Sequence, residues 1–125
     1  MVSVSFDFDS TLSRVTIQDY AQSLIKRGID VYVTTSRVEP DKAPNKNWND
    51  DLFKVTDKLG ISRNKITFTN YVDKWEVIGD RDFIWHLDDD WIELNLLNRN
   101  TKIVGISCFG SKNWKQKCEK LLKSI

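Results

Sequence analysis

Strand-like and helix-like runs alternate five times along this chain, and that alternation constrains the fold more than any other feature. Val2 to Phe8, Ile29 to Thr34, Lys65 to Thr69, Phe83 to Leu87 and Lys102 to Cys108 are short runs of β-branched, aromatic or alternating apolar residues. Helical patterns fall between them. Thr16 stands at an N-cap position with Asp19 three residues on; Ile17, Tyr20, Ala21, Leu24 and Ile25 share one face, and Gly28 is the expected C′ residue. Trp48, Leu52, Val55 and Leu59 form a second stripe closed by Gly60, and Asn70 is placed to cap a short helix through Ile78. Asp90 with Glu93 has the form of a capping box opening a fourth helix of about two turns. A last helix is expected from Lys112 to Ser124, with Trp114, Cys118, Leu121, Leu122 and Ile125 inward. Both prolines, Pro40 and Pro44, lie between Val38 and Asn47, which reads as a loop.

Such alternation predicts an α/β fold: one parallel five-stranded sheet with helices on both faces, three layers in a Rossmann-like arrangement. Right-handed crossovers bring every strand's carboxyl end to one edge. That edge then gathers Asp7 and Asp9, Thr35, the helix start at Asn70 to Lys74, and Asp88 with Asp89 around one crevice. Ligands bind at that edge in open α/β sheets.

With 125 residues, a single domain covering 1–125 is expected. An apolar fraction of 40% with 30% charged residues is that of a soluble globular chain, and a net charge of +1 makes no global case for nucleic acid or membrane. Cys108 and Cys118 are too few for a disulfide framework and lack metal-ligand spacing, which points to a reducing, cytoplasmic setting. The start, Met-Val-Ser-Val, lacks the basic region of a signal peptide, and no apolar run approaches the ~18 residues of a membrane span.

Clustered carboxylates repel one another, so a divalent cation is their natural partner; hard oxygen ligands, with the remaining positions left to water and phosphate, describe Mg²⁺. A carboxylate is also a competent nucleophile toward phosphorus. A lysine and a hydroxyl orient and neutralise phosphoryl oxygens.

Four segments carry a resemblance to the haloacid dehalogenase (HAD) superfamily phosphatases. They are Asp7-Phe8-Asp9-Ser10-Thr11 after the first strand, Val31-Tyr32-Val33-Thr34-Thr35 followed by Ser36-Arg37, Lys74 in Asn70-Tyr71-Val72-Asp73-Lys74, and Asp88-Asp89 after Phe83 to Leu87. They stand in the family's order, each at the end of the expected element. The resemblance implies a capless HAD fold and a set of roles. Asp7 is the nucleophile that becomes an aspartyl-phosphate, and Asp9 is the acid and base. Thr35 and Lys74 bind the phosphoryl group. Asp7, the Asp9 carbonyl and Asp88 hold Mg²⁺ with support from Asp89, and Thr11, Ser36 and Arg37 contact substrate. Asp9 at the second acidic position favours phosphomonoester hydrolysis. Only Ser10 to Val15 separate the first motif from its helix, and only Asn70 to Lys74 separate the third strand from the lysine. An open site without a cap domain goes, in this family, with large substrates or with a second copy or partner that closes the site. The expected substrate is a nucleic-acid end or a nucleotide, with a weaker likeness to the phosphatase half of polynucleotide kinases. A protein or small-metabolite phosphatase and a catalytically silent HAD-fold binding module are the alternatives.

Bland readings stand beside these. Lys65 precedes the third strand, at the sheet edge away from Asp7, and is set aside in favour of Lys74. Thr34 competes with Thr35. His86, the only histidine, lies within a strand and reads as a packed or hydrogen-bonded side chain. Trp48, Trp75 and Trp114 have core spacing, and core packing is the reading for Trp91. Arg37, Lys42, Lys46 and Trp48, in or near the proline-bearing loop, are either substrate contacts or part of a solvated loop. The lysines of the last helix read as a solvated face.

Overall fold

The computed structural model describes all 125 residues. The strand-like runs become β1 (Ser3–Phe6), β2 (Asp30–Thr35), β3 (Ile66–Phe68), β4 (Phe83–Asp88) and β5 (Val104–Ser107). The helices are α1 (Val15–Lys26), α2 (Asp50–Leu59), α3 (Lys74–Ile78), α4 (Trp91–Asn100) and α5 (Trp114–Lys123). All strand pairs are parallel and the order is β3-β2-β1-β4-β5. The expected α/β architecture with one five-stranded parallel sheet is therefore present. No helix is long and apolar enough to cross a membrane.

The chain steps outward from β1 through β2 to β3, then returns to the other side of β1 for β4 and β5. Connections leaving β1 and β4 thus go to opposite faces, and a crevice opens between their carboxyl ends. On one face, Ile17, Leu24 and Leu52 from α1 and α2, with Cys118 from α5, bury against Val4, Phe6, Val33 and Trp85. Phe6 and Trp85 meet edge to face at 5.3 Å, and Tyr20 meets Trp114 at 5.5 Å. On the other face Ile78 and Leu97, from α3 and α4, pack on Phe83 and Ile103.

The pairing of β1 with β4 contains one irregularity that matters for the site. Ser3 pairs with Phe83 but Ser5 pairs with His86, so β4 holds an extra residue. A bulge of this kind reverses which face later side chains occupy. Phe83 and His86 consequently face α3 and α4, while Trp85 and Leu87 enter the core beneath α1. Asp88, two residues beyond His86, falls on the α3–α4 side.

Several expected helix ends differ. α1 begins at Val15 after Arg14, ahead of Thr16, and no side chain caps it. Asn70 does not cap α3: it stands at φ +55°, and the helix starts four residues later behind Asp73. The Glu93 carboxylate, on α4, accepts instead from the Lys74 amide at 3.2 Å, so the neighbouring helix supplies α3 with its cap. The expected box at Asp90 and Glu93 is accordingly half made. Asp90 accepts from the Ile92 and Glu93 amides, and Glu93 is turned away to Lys74. Gly28 and Gly60 do follow their helices at φ +83° and +79°, a region that favours glycine. Trp48 lies ahead of α2 and is 42% exposed, and Trp91 is 70% exposed, so neither belongs to the core.

Candidate active site

β1 stops at Phe6, yet the Asp7 amide still donates to the Leu87 carbonyl at 2.8 Å, so Asp7 is anchored as though in the sheet. The chain then turns sharply. Leu12 and Ser13 amides reach back to the Asp7 and Phe8 carbonyls, and Ser10 adopts φ +59°. This tight turn holds Asp7 and Thr11 buried and leaves Asp9 exposed. Asp88 ends β4 beside it, fully buried, and the Cys108 amide fixes its carbonyl at 3.0 Å.

Lys74 enters from the first turn of α3. Its ammonium donates to Asp7 Oδ1 at 2.8 Å and to Asp88 Oδ2 at 2.6 Å. Asp89 completes the group, and one carboxylate oxygen each from Asp7, Asp88 and Asp89 lie within 4.8 Å of one another. Thr11 Oγ1 donates to Asp7 Oδ2 over a long 3.3 Å and lies 3.5 Å from Asp89 Oδ1. Asp7 Oδ2 is therefore the freer oxygen. Asp7, Lys74, Asp88 and Asp89 line a cavity of about 180 Å³ together with Asp9, Ser10, Ser36 and Asp90. A larger depression of about 880 Å³ lies at the strands' amino ends, between Asp80 and Lys102; its two carboxylates, Asp80 and Asp82, belong to no cluster of three.

Burial, with the nearby Asp88 charge, pushes the Asp7 carboxyl well above the ordinary range, against the opposing pull of Lys74. Burial alone would lower the Lys74 ammonium, but Asp7 and Asp88 outweigh it and hold that ammonium above its usual value. Asp88 is held below the usual carboxylate range: burial opposes this, and the hydrogen bond from His86 and the charge of Lys74 prevail. Burial lowers His86, so its ring is neutral near neutral pH.

The neutral ring defines a hydrogen-bonded chain through the sheet. Ionised Asp88 can only accept, so His86 Nε2 carries the proton and donates to Asp88 Oδ2 at 2.8 Å. His86 Nδ1 then accepts from the Ser5 hydroxyl at 2.9 Å, and Ser5 accepts from Thr34 at 2.8 Å. All four side chains are at most 1% exposed. Three adjacent strands thus contribute one polar residue each to aim a single carboxylate oxygen, which is how outer groups orient metal-ligating carboxylates.

The structure brings Asp7, Asp9, Ser36, Lys74, Asp88 and Asp89 to one cavity, with Thr11 directly behind Asp7. Thr35 is not at its surface. Successive strand residues face opposite ways, and the Thr35 hydroxyl, buried, accepts from the Arg37 amide at 3.3 Å. Thr34 belongs to the chain described above, and of the three hydroxyls from Thr34 to Ser36 the one lining the cavity is that of Ser36; Ser10 brings a second hydroxyl from the turn after β1. Arg37 is committed: it donates to both Asp9 oxygens, at 2.7 and 3.0 Å, and to both Asp51 oxygens, at 2.7 and 2.9 Å. Its guanidinium also lies 5.0 Å from the Phe8 ring centroid. Lys42 pairs with Glu39 at 3.6 Å, away from the cavity, and Lys65 pairs with Asp30 at 3.0 Å at the opposite sheet edge. The histidine chain was beyond sequence reasoning; its one signal is the polar residues Ser5, Thr34 and His86 within three of the strands.

The donor set fits a hard divalent cation. Three carboxylates and one ammonium leave two negative charges, and all the available ligand atoms are oxygens. Comparison with protein-family models, with curated proteins and with solved structures yields no match.

Proposed function

We propose that this chain is a phosphomonoester hydrolase of the HAD type, dependent on Mg²⁺ and acting through an aspartyl-phosphate on Asp7. The observation that carries this reading is Lys74 bridging Asp7 and Asp88 at the switch point of a parallel sheet, with Asp89 within ligand distance. A buried nucleophilic carboxylate, a fixed cation beside it and an open metal-binding edge are the parts phosphoryl transfer needs.

In this mechanism Asp7 Oδ2 attacks phosphorus and the bond from phosphorus to the ester oxygen breaks. Asp9 gives its proton to that leaving oxygen. Asp9 then takes a proton from water, whose oxygen displaces Asp7 from phosphorus and releases phosphate. Lys74 holds Asp7 Oδ1 and offsets charge gathering on the phosphoryl oxygens. Asp7, Asp88 and Asp89 would hold the cation, which supplies charge neutralisation at the phosphoryl oxygens. Ser36 is the cavity hydroxyl that the end of β2 makes available to a phosphoryl oxygen, in place of Thr35. The open rim, with no inserted cap between β1 and α1 or between β3 and α3, supports a nucleotide or nucleic-acid end as substrate.

One observation favours a second reading. Both Asp9 oxygens are bound by Arg37, and the acid step requires that pair to open. A cation-binding domain without turnover would keep it closed. Phosphate release from nucleoside 3′- and 5′-monophosphates, end-phosphorylated oligonucleotides, a phosphopeptide and an aryl phosphate, with Mg²⁺ or EDTA, tests both. The proposal expects Mg²⁺-dependent release that Asp7→Asn abolishes. Release unaffected by Asp7→Asn refutes the mechanism, and cation binding without release from any substrate supports the second reading.

A further inference from the structure

A cavity of about 480 Å³ adjoins the carboxylate site, and Asp9 and Ser36 line both. That volume is in the range of small-molecule sites, roughly 300–1,000 Å³. Its other walls are Arg37, Asp51, Trp48 and Tyr71. Trp48 is 42% exposed and Tyr71 70% exposed, although rings of this size usually bury.

Both rings are carried by backbone tied to the segment after β2. The Tyr71 amide donates to the Ser36 carbonyl at 2.8 Å and the Asn70 amide to the Arg37 carbonyl at 3.1 Å. This holds Asn70 and Tyr71 at φ +55° and +67°, a region that side-chain-bearing residues rarely adopt. Asn49, next to Trp48, donates from its side chain to the Val38 carbonyl at 3.1 Å.

The cavity's one cation is spent, since two carboxylates already hold Arg37. The cavity therefore does not recruit a further anion. It offers two aromatic surfaces, the hydroxyls of Ser36 and Tyr71, and the second lone pairs of the Asp51 and Asp9 oxygens, each of which already accepts once from Arg37. An uncharged planar ring whose edge carries hydrogen-bond donors matches this set, and a bare phenyl ring does not. We propose that this cavity is the leaving-group subsite and takes a nucleobase, stacked against Trp48 and Tyr71. That the nucleotide's phosphate then lies on Asp7 and Lys74 rests on the phosphomonoesterase reading; the base site itself does not.

The test uses nucleosides, which carry no phosphate, and ¹⁵N-labelled full-length protein in EDTA. The Trp48 indole N–H resonance is assigned with Trp48→Phe. Adenosine, guanosine and cytidine are titrated in turn, with ribose and tyrosinamide as controls. The nucleosides are expected to move the Trp48 resonance saturably, ribose is not, and Tyr71→Ala is expected to weaken the affinity by about tenfold or more. Nucleosides that leave Trp48 unmoved overturn the proposal, as does tyrosinamide binding more tightly than any nucleoside or an unchanged affinity in Tyr71→Ala. Because neither phosphate nor cation is present, nucleoside binding without phosphate release would remove the hydrolase and keep the subsite. Phosphate release without nucleoside binding would do the reverse.

Discussion

Replacing Lys74 by methionine keeps the aliphatic stem and removes the ammonium from between Asp7 and Asp88. The three side chains are 3%, 8% and 1% exposed, so water cannot take over the lost contacts. Removing one member of a buried ion pair costs about 3–5 kcal/mol. With roughly 4 °C of melting temperature per kcal/mol at this chain length, the expected fall is about 12–20 °C. Urea and thermal unfolding, followed by circular dichroism at neutral pH in EDTA, measure it. The dependence on pH has a fixed sign. A folded Asp7 whose carboxyl is raised holds its proton more tightly than the unfolded chain does. Stability therefore falls as pH climbs from about 4 through the folded value. Without Lys74 the carboxyl rises further, so the deficit of Lys74→Met should shrink in acid and be largest near neutrality. Adding Asp7→Asn should recover part of the loss, because one of the two stranded carboxylates is gone. A loss below about 1 kcal/mol at neutral pH, equal with and without Asp7→Asn, would refute Lys74 as the buried counter-charge.

Two further outcomes concern the supports around the site. His86→Leu leaves an Asp88 oxygen and the Ser5 hydroxyl short of a partner; a loss of about 1–3 kcal/mol is expected in chemical denaturation. Mg²⁺ affinity by calorimetry should fall about 10–100-fold in the same variant, with partial return in His86→Gln. Asp90→Ala removes the only side chain that caps α4 and should lower stability by about 1 kcal/mol, read from the same unfolding curves.

The alternation of elements was legible because each strand or helix is a local pattern, and the right-handed crossover rule converts that pattern into a crevice. Asp7, Lys74, Asp88 and Asp89 followed directly, since each lies at the end of its element. What stayed hidden depends on relations between elements. Asn70 has the residue type of a cap, but Ser36 and Arg37 carbonyls claim the amides of Tyr71 and Asn70 and hold both residues at positive φ. Glu93 has the spacing of a capping partner for Asp90, yet the nearer unsatisfied amide belongs to Lys74 on another helix. Trp48 has the spacing of a core residue, but α2 starts after it. Thr35 and Ser36 differ by one residue, and which of them reaches the cavity depends on strand parity that a motif does not encode. The histidine chain needs the register of three strands, including the bulge, before its members can be seen as neighbours.

That bulge makes the register of β4 a variable of chemistry. A one-residue slip that straightened it, setting Trp85 instead of His86 opposite Ser5, would leave the composition of the strand unchanged. It would also exchange the strand's two faces beyond that point. Leu87 would then meet Lys74, and the carboxylate of Asp88 would press into the apolar layer under α1. The composition of β4 therefore does not by itself define the site: a slip of one residue in its pairing would dismantle the carboxylate cluster and the core together.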